Sequence, residues 1–273
     1  MNAGSVVVDI ESPDTDVFLY NTTLTADHGH ENLTVRFLKH NPAKIPGEAI
    51  NLNTVCESMG QEKASGLIGV HIFTGSDWGG KFASISKKKW IKTYLELEPT
   101  SPIVEAFRQL GEVEDPLSLL AAIEEFVCKA YSKNTTCKEV SALRWEMFRN
   151  HNKVGEQLPP TRDTLIPHLK RSNVIAQIAK GYTVPHPEIL PLIGNGWEEK
   201  SPGVVTAITC LSLPAPEAAL ILTKCSCTTP CGERYRCGCV NNGCFALVSA
   251  SAQSAQTPGT HMAQTVIMTL TSK

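Results

Sequence analysis

Residues 5–20 read SVVVDIESPDTDVFLY, and this stretch decides the predicted fold class. Its apolar, β-branched start, residues 6–10, predicts a buried strand that ends at the Ser-Pro-Asp turn. Two carboxylates, Asp14 and Asp16, lie at that turn. Because ligands in α/β proteins bind outside the carboxyl ends of the strands, these acids mark a candidate site for metal or phosphate.

Three further segments extend this strand into a predicted sheet. Residues 33–40 alternate apolar and polar side chains, as a half-buried strand does. Residues 51–62 carry an apolar stripe of helical spacing, with Asn51 as the expected N-cap. Residues 66–75, GLIGVHIFTG, predict a short buried strand, which closes a strand-helix-strand unit of parallel type. The polar residues 21–32 predict a loop.

A third acid, Asp77, follows the second predicted strand. Neighbouring parallel strands end at the same edge of a sheet, so we expect Asp14, Asp16 and Asp77 to approach one another there. Carboxylate oxygens are ligands for Mg²⁺ or Mn²⁺, and such ions activate water for attack on phosphate. Spacing alone also allows a simpler interpretation, since Asp near Pro forms turns and caps helices.

The middle of the chain predicts helices. Ser101-Pro102 opens one helix, and residues 117–131 repeat the apolar stripe. Residues 138–149 form another stripe that includes Phe148, and a last helix begins after Thr161 with Ile178 on its apolar face. We interpret these stripes as ordinary core.

Charge is balanced overall but uneven along the chain. The net charge of the 273 residues is −2, which argues neither for nor against nucleic acid as a partner. Residues 77–92 nevertheless hold five lysines against the single acid Asp77. Lys81, Lys87, Lys88 and Lys89 are candidate phosphate contacts, and a solvated helix start is the alternative.

Targeting signals are not visible in this sequence. The N-terminus, MNAGS, lacks the basic start and apolar core of a secretory signal. No run of about 18 apolar residues predicts a membrane span. We therefore expect an intracellular protein without a membrane partner.

Six of the ten cysteines fall within twenty residues near the C-terminus. Their spacing is C-x-C-x3-C-x5-C-x-C-x4-C. Clustered thiolates of this kind are typical of structural zinc, which folds segments that have no core of their own. Reduced, unstructured thiols are the alternative. The predicted zinc ligands are Cys225, Cys227, Cys231, Cys237, Cys239 and Cys244.

The motifs SPDTDVFL and FTGSDW, followed by a lysine-rich stretch, resemble the flap-endonuclease and PIN-like nuclease family. The resemblance covers residues 5–95. It implies that Asp14 and Asp16 match the family's D-x-D, and that Asp77 matches the acid of its G-S-D. It also implies that ASISKKKW stands where the family has a glycine-containing turn that grips the DNA backbone, with Ser84 and Ser86 in place of the glycines.

This resemblance implies a truncated or degenerate metal-dependent nuclease. The family carries further acids upstream of its D-x-D, whereas this chain starts at that strand. We therefore expect a Mg²⁺-dependent phosphodiesterase site that is inactive in this chain alone, and a strand that stands in the middle of a sheet rather than at its beginning.

Two wider resemblances involve the rest of the chain. The chain resembles a group of transposon-derived animal proteins in its succession of short motifs, which are DTDVF, HIFTGSD, LRW, LPPT, HPEI, GWE, LPAPE and a terminal C-x-C cluster. The cysteine spacing is similar to the cysteine-rich CXC domain of tesmin-like DNA-binding proteins, with Tyr235 near the tyrosine of that module. Together they imply DNA or RNA as a partner and a nuclear location.

The predicted fold class is α/β: an incomplete PIN-like parallel sheet, then a mainly helical region and a small cysteine-rich tail. The leading functional hypothesis is a nucleic-acid-interacting protein with a degenerate nuclease-like domain. The alternatives are a non-catalytic scaffold and a zinc-dependent DNA-binding module. The predicted segments are an α/β part (1–95), a helical part (96–181), a Pro/Gly-rich linker (182–215), a cysteine-rich module (216–248) and a disordered tail (249–273).

Overall fold

A computed structural model of the chain describes residues 6–29, 32–39, 49–77, 79–151 and 155–212. These residues form a mixed α/β fold in which helices predominate and the sheets are small. Those up to Leu211 belong to one compact unit. The cysteine-rich module and the tail predicted beyond residue 215 lie outside the described residues. No helix in the described ranges is long and apolar enough to cross a membrane.

The main sheet has three strands in the order β1-β2-β3. Strand β1 (Val6–Ser12) pairs in parallel with β2 (Leu33–Lys39), and β2 pairs antiparallel with β3 (Ala49–Asn51). Helix α1 (Thr15–His28) makes the crossover between the two parallel strands. Strands over residues 6–12 and 33–39 are therefore confirmed, and the parallel unit is β1-α1-β2.

The predicted burial of β1 is wrong. Val6, Val7 and Val8 are 56%, 52% and 41% exposed. Within the described residues β1 has a strand on one side only, so it is an edge strand. The β-branched run produces the strand, but its position at the edge leaves the valines uncovered.

The predicted loop over residues 21–32 is also wrong, because α1 continues to His28. Its polar residues are threonines that satisfy their own hydroxyl groups: Thr22 donates to the Phe18 carbonyl at 2.8 Å and Thr25 to the Asn21 carbonyl at 2.7 Å. Such bonding one turn back lets threonine enter a helix interior without an unpaired polar group. Thr23 also donates to the Ala64 carbonyl at 3.1 Å, which binds α1 to its neighbour.

Helix α2 (Leu52–Met59) follows β3 directly and confirms the predicted helix start. The Asn51 side chain accepts a hydrogen bond from the backbone N–H of Thr54. Two short helices follow, α3 (Gln61–Ser65) and α4 (Leu67–Phe73).

The predicted strand over residues 66–75 is therefore wrong. All seven residues of α4 are buried, so no alternation between polar and apolar residues marks its period. Gly69 allows α4 to approach the helix that ends at Gln109: a Cβ at this position would lie 2.3 Å from the Phe107 carbonyl oxygen. The predicted parallel unit of strand, helix and strand over residues 33–75 consequently does not form.

The helical part follows the predicted stripes. Ser101 caps its helix by accepting from the Ile103 N–H, as the Ser-Pro pair indicates. Single 3₁₀ turns occupy Pro116–Leu119, Gly155–Gln157 and Gly181–Thr183. The longer helices are α5 (Lys87–Leu95), α6 (Pro102–Gln109), α7 (Leu120–Tyr131), α8 (Val140–His151) and α9 (Arg162–Lys180).

One aromatic core joins α4 to these helices. Phe73, Trp90, Tyr94, Phe107 and Phe126 are fully buried in it. Phe107 and Phe126 meet edge to face, with ring centroids 4.8 Å apart. The predicted boundary between the α/β part and the helical part, at residue 95, therefore falls within a core that both parts share.

Two residues that the stripes place inward are exposed instead. Phe148 on α8 is 51% exposed and Ile178 on α9 is 46% exposed. Their helices bury a narrower face than the spacing predicts.

The segment predicted as a linker contains a β-hairpin. Strands β4 (Trp197–Ser201) and β5 (Val204–Ala207) pair antiparallel across a turn. Arg171 of α9 donates to the Gly196 carbonyl at 3.1 Å and also to the Ile208 carbonyl. These bonds fix the base of the hairpin to α9.

Candidate nucleic-acid interface

Asp14 and Asp16 lie at the junction of β1 and α1. Asp14 is the N-cap: its side chain accepts from the Asp16 N–H at 2.8 Å. The Ser12 hydroxyl accepts from the Asp14 N–H at 3.1 Å, which fixes the turn between strand and helix. The capping role that the sequence allowed for Asp14 is therefore confirmed, and one of its carboxylate oxygens is occupied by it.

Asp16 faces a buried histidine on α4. Its Oδ1 lies 3.3 Å from Nε2 of His71, whose side chain is 8% exposed. The contact is close, but neither ring nitrogen has an aligned hydrogen-bond partner among the described residues. Burial, helped by the charge of Lys87, lowers the pKa of His71, and Asp16 opposes that shift. The pair therefore joins a carboxylate to a neutral imidazole near neutral pH.

Lys87 points inward at the start of α5. Its ammonium group donates to the Gly75 carbonyl at 2.7 Å and to the His71 carbonyl. Burial lowers the pKa of Lys87 to about 8, and the charge of Lys81 adds to this, whereas Asp16 opposes it. Lys87 thus holds the end of α4 against α5, and its charge is directed away from solvent.

Tyr20 brings the three predicted acids into one electrostatic environment. Burial raises its pKa, and the charges of Asp16, Asp14 and Asp77 raise it further. Its ring also packs edge-on against His71, at a centroid distance of 6.4 Å. The three carboxylates therefore act on one phenol, although helices α1 and α4 position them instead of two parallel strands.

Two of the three predicted metal ligands already make contacts within the protein. Asp14 caps a helix and Asp16 faces His71. In the part of the chain that the structure describes, no group of three or more His, Cys, Asp or Glu residues could hold an ion.

The backbone near the predicted gripping turn has one unusual residue. Ser84 has φ +61°, in the left-handed region that glycine favours, whereas Ser86 has φ −75°. The Ser86 hydroxyl caps α5 by accepting from the Lys89 N–H at 3.3 Å. Lys81, Lys88 and Lys89 are exposed around this helix start.

A basic groove lies between α5 and α7. It is a cavity of about 330 Å³ lined by four lysines and one carboxylate, that of Glu96. Glu96 accepts from Lys133 at 2.9 Å, and this contact lowers its pKa. The lysines of this groove, called the lysine groove below, are Lys89, Lys92, Lys129 and Lys133.

Of the four groove lysines, the sequence prediction named only Lys89 as a candidate phosphate contact. Lys129 lies in the last turn of α7, and Lys133 lies in the turn that follows the end of this helix at Tyr131. Both lysines were visible in the sequence, but nothing there indicated that α5 would pack beside them. The sequence did not identify His71 or Tyr20 as site residues. His71 lies in the segment that was predicted as a buried strand, and Tyr20 lies in an apolar run for which no secondary structure was predicted.

The predicted zinc ligands, from Cys225 to Cys244, lie outside the described residues. Four other cysteines, Cys56, Cys128, Cys137 and Cys210, are free thiols. Burial raises the pKa of Cys56 to about 11 and that of Cys128 to about 12, so both are poor nucleophiles.

Comparisons with known proteins add no relative. A scan against protein-family models, a search of curated proteins and a search of solved structures each found no match.

Proposed function

We propose that this chain binds nucleic acid through the phosphate backbone, along the lysine groove, and that Asp14, Asp16 and Asp77 belong to a nuclease-like site without catalytic competence. The observation that supports this most directly is the groove itself. Four ammonium groups and one carboxylate line a cavity between two helices of a rigid aromatic core.

The lysine groove has the chemistry of a phosphate track. Lys92 and Lys133 are 73% and 72% exposed, so their ammonium groups can reach a ligand without unfolding any packing. Glu96 bridges them and spaces their charges. Lysine contacts of this kind bind phosphates without reading sequence, and they release counterions from the nucleic acid.

The start of α5 extends this basic surface. The first N–H groups of a helix favour anions, and Lys88 and Lys89 add two charges there. Lys81 is exposed in the preceding loop. Lys87 takes no part in the proposed contact, because its ammonium group is bonded to two carbonyl oxygens.

A nuclease-like origin for the site is part of the proposal. The order of D-x-D after β1, G-S-D after α4 and a lysine-rich helix start is what the family resemblance rests on. Asp14, Asp16 and Asp77 would supply the oxygen ligands of a Mg²⁺ or Mn²⁺ ion in an active relative. Here the capping role of Asp14 and the contact of Asp16 with His71 support binding without hydrolysis.

The exposed edge of β1 favours a second candidate function, a non-catalytic scaffold. Its valines present apolar surface to solvent, and among the described residues the side of β1 away from β2 has no neighbouring strand. In that case the protein would assemble with other chains and the lysine groove would be an ordinary solvated surface. A zinc-dependent DNA-binding module at residues 216–248 stays a prediction.

The test is binding of the full chain to fluorescein-labelled 20-mer DNA, single-stranded and duplex, followed by anisotropy. The variant Lys89→Ala/Lys133→Ala removes one lysine from each side of the groove. The control, Lys170→Ala/Lys200→Ala, removes the same charge near the hairpin, from the half-buried Lys170 and the exposed Lys200. We expect the groove variant to bind both DNAs more weakly than the control does. Equal affinity of the two variants would refute the proposed function.

A further inference from the structure

Helix α8 exposes two aromatic side chains on one face. Trp145 is 61% exposed and Phe148 is 51% exposed, and their ring centroids are 6.2 Å apart with the planes inclined by 32°. No other Trp or Phe side chain that the structure describes is as exposed. Large aromatic side chains usually bury most of their area, so this pair is available to a ligand.

The two rings line an open cavity of about 490 Å³ together with two arginines, Arg144 and Arg162. None of the described residues that line this cavity carries a carboxylate. The Arg144 guanidinium donates to the Pro159 carbonyl at 2.5 Å, which fixes the position of its charge. A volume of this size is in the range of small-ligand sites.

We infer that this cavity, called the aromatic site below, binds unpaired bases of single-stranded nucleic acid. A base would stack on Trp145 or Phe148, because every base offers a π face to an aromatic ring. The guanidinium groups of Arg144 and Arg162 would meet the flanking phosphates, for which their planar donors are suited. The inference rests on the proposed function, and it adds that single strands are the preferred form.

Charge favours this ligand over an apolar one. An apolar peptide, or the same face of a second copy, would cover the rings and bury two arginines without offering them an anion. Arg162 also stands between the aromatic site and a neighbouring cavity that is lined by several carboxylates, among them Glu124 at 3.8 Å from its Nε. Those acids would repel the phosphates of a nucleic acid. The bound single strand would therefore pass along Arg144 and the exposed Arg149.

The experiment compares three labelled 20-mers: oligo-dT, a mixed-sequence duplex and an abasic single strand. The protein variants are Trp145→Ala, Trp145→Phe and Ile189→Ala, the last being an exposed apolar control at 45% exposure. We expect Trp145→Ala to lose roughly 5- to 150-fold in affinity for oligo-dT, the range that loss of one stacked base gives. Trp145→Phe and Ile189→Ala retain it, and affinity for duplex and abasic DNA is unchanged in all variants.

The outcomes separate this inference from the proposed function. If Trp145→Ala binds oligo-dT as wild type does while Lys89→Ala/Lys133→Ala is impaired, the aromatic site is refuted alone. If only Trp145→Ala is impaired, the aromatic site stands and the lysine groove is refuted. Absence of binding by the wild type refutes both. Sedimentation that shows a wild-type dimer and a Trp145→Ala monomer assigns the face to a second copy, which also refutes the inference.

Discussion

The Asp16 carboxylate, in the first turn of α1, lies 3.3 Å from Nε2 of His71 on helix α4. This relationship gives Asp16 a partner inside the protein. Together with the capping bond of Asp14, it means that both of these predicted metal ligands make a contact within the protein. Under the proposed function, these structural roles oppose metal binding by the same two carboxylates.

The first prediction concerns cleavage. We expect no Mg²⁺- or Mn²⁺-dependent cut in single-stranded or flap DNA, because the capping bond and the histidine compete with the ion for Asp14 and Asp16. The measurement is gel analysis of labelled DNA at millimolar metal. Cleavage that disappears in Asp14→Ala/Asp77→Ala would show an active site. Cleavage that persists in that variant would point to a contaminant or to another site.

The second prediction concerns acid stability. Burial lowers the pKa of His168 to about 4, from its usual 6.5. The unfolded chain takes up this proton below pH 6.5 and the folded chain only near pH 4, so the neutral ring stabilises the fold above pH 6.5 and this contribution is lost between pH 6.5 and 4. The loss amounts to roughly 3 kcal/mol.

The variant His168→Gln isolates that effect. Glutamine can keep the hydrogen bond that His168 Nε2 makes to the Phe73 carbonyl at 2.7 Å, but it does not titrate. Urea unfolding at pH 7, 5.5 and 4.5 should show a shallower pH dependence for the variant than for wild type. Parallel curves for the two proteins would mean that His168 titrates normally in the fold.

The third prediction concerns the crossing of α4 and α6. Gly69→Ala places a Cβ 2.3 Å from the Phe107 carbonyl oxygen, and backbone must move to relieve the contact. Overpacking of this kind costs about 1–3 kcal/mol, which thermal or urea unfolding can measure. Ser141→Ala, at an exposed position of α8, is the control and should change stability by less than about 0.5 kcal/mol. Equal stability of the two variants would contradict the close crossing.

The fourth prediction concerns the β1 edge. Val7→Lys puts a charge on a residue that is 52% exposed in the edge strand of the described sheet, and charged edges discourage pairing with other chains. We expect less aggregation by light scattering at high protein concentration, with little change in thermal unfolding. Val35→Lys, at the buried neighbouring strand, should unfold the protein. Equal aggregation of wild type and Val7→Lys would argue that β1 is covered in solution.

Local signals in the sequence predicted local structure well. Asn51 and the Ser101-Pro102 pair marked helix starts that the structure confirms, because capping depends on one side chain and its nearest amides. The β-branched residues 6–10 likewise predicted their strand. Such features need no knowledge of the rest of the fold.

Features that depend on packing were not predictable in the same way. The run from Leu67 to Phe73 is buried all round, so its sequence lacks a period that separates helix from strand. The threonines of α1 are polar by composition, yet the helix and its neighbours satisfy their hydroxyl groups.

The candidate site shows the same division. The carboxylates and the lysines near Ser86 were visible as motifs. Lys129 and Lys133 join Lys89 only because α5 and α7 pack on one aromatic core. Lys87 turns inward because its ammonium group donates to the Gly75 carbonyl beyond the end of α4.

The salt dependence of DNA binding tests the central claim most directly. Each lysine that neutralises a phosphate contributes about 0.9 to the slope of log affinity against log salt concentration on duplex DNA. We predict that Lys89→Ala/Lys133→Ala lowers this slope by about 2 relative to wild type, whereas Lys170→Ala/Lys200→Ala leaves it unchanged. A groove variant with the wild-type slope would contradict the proposal that the lysine groove binds the phosphate backbone.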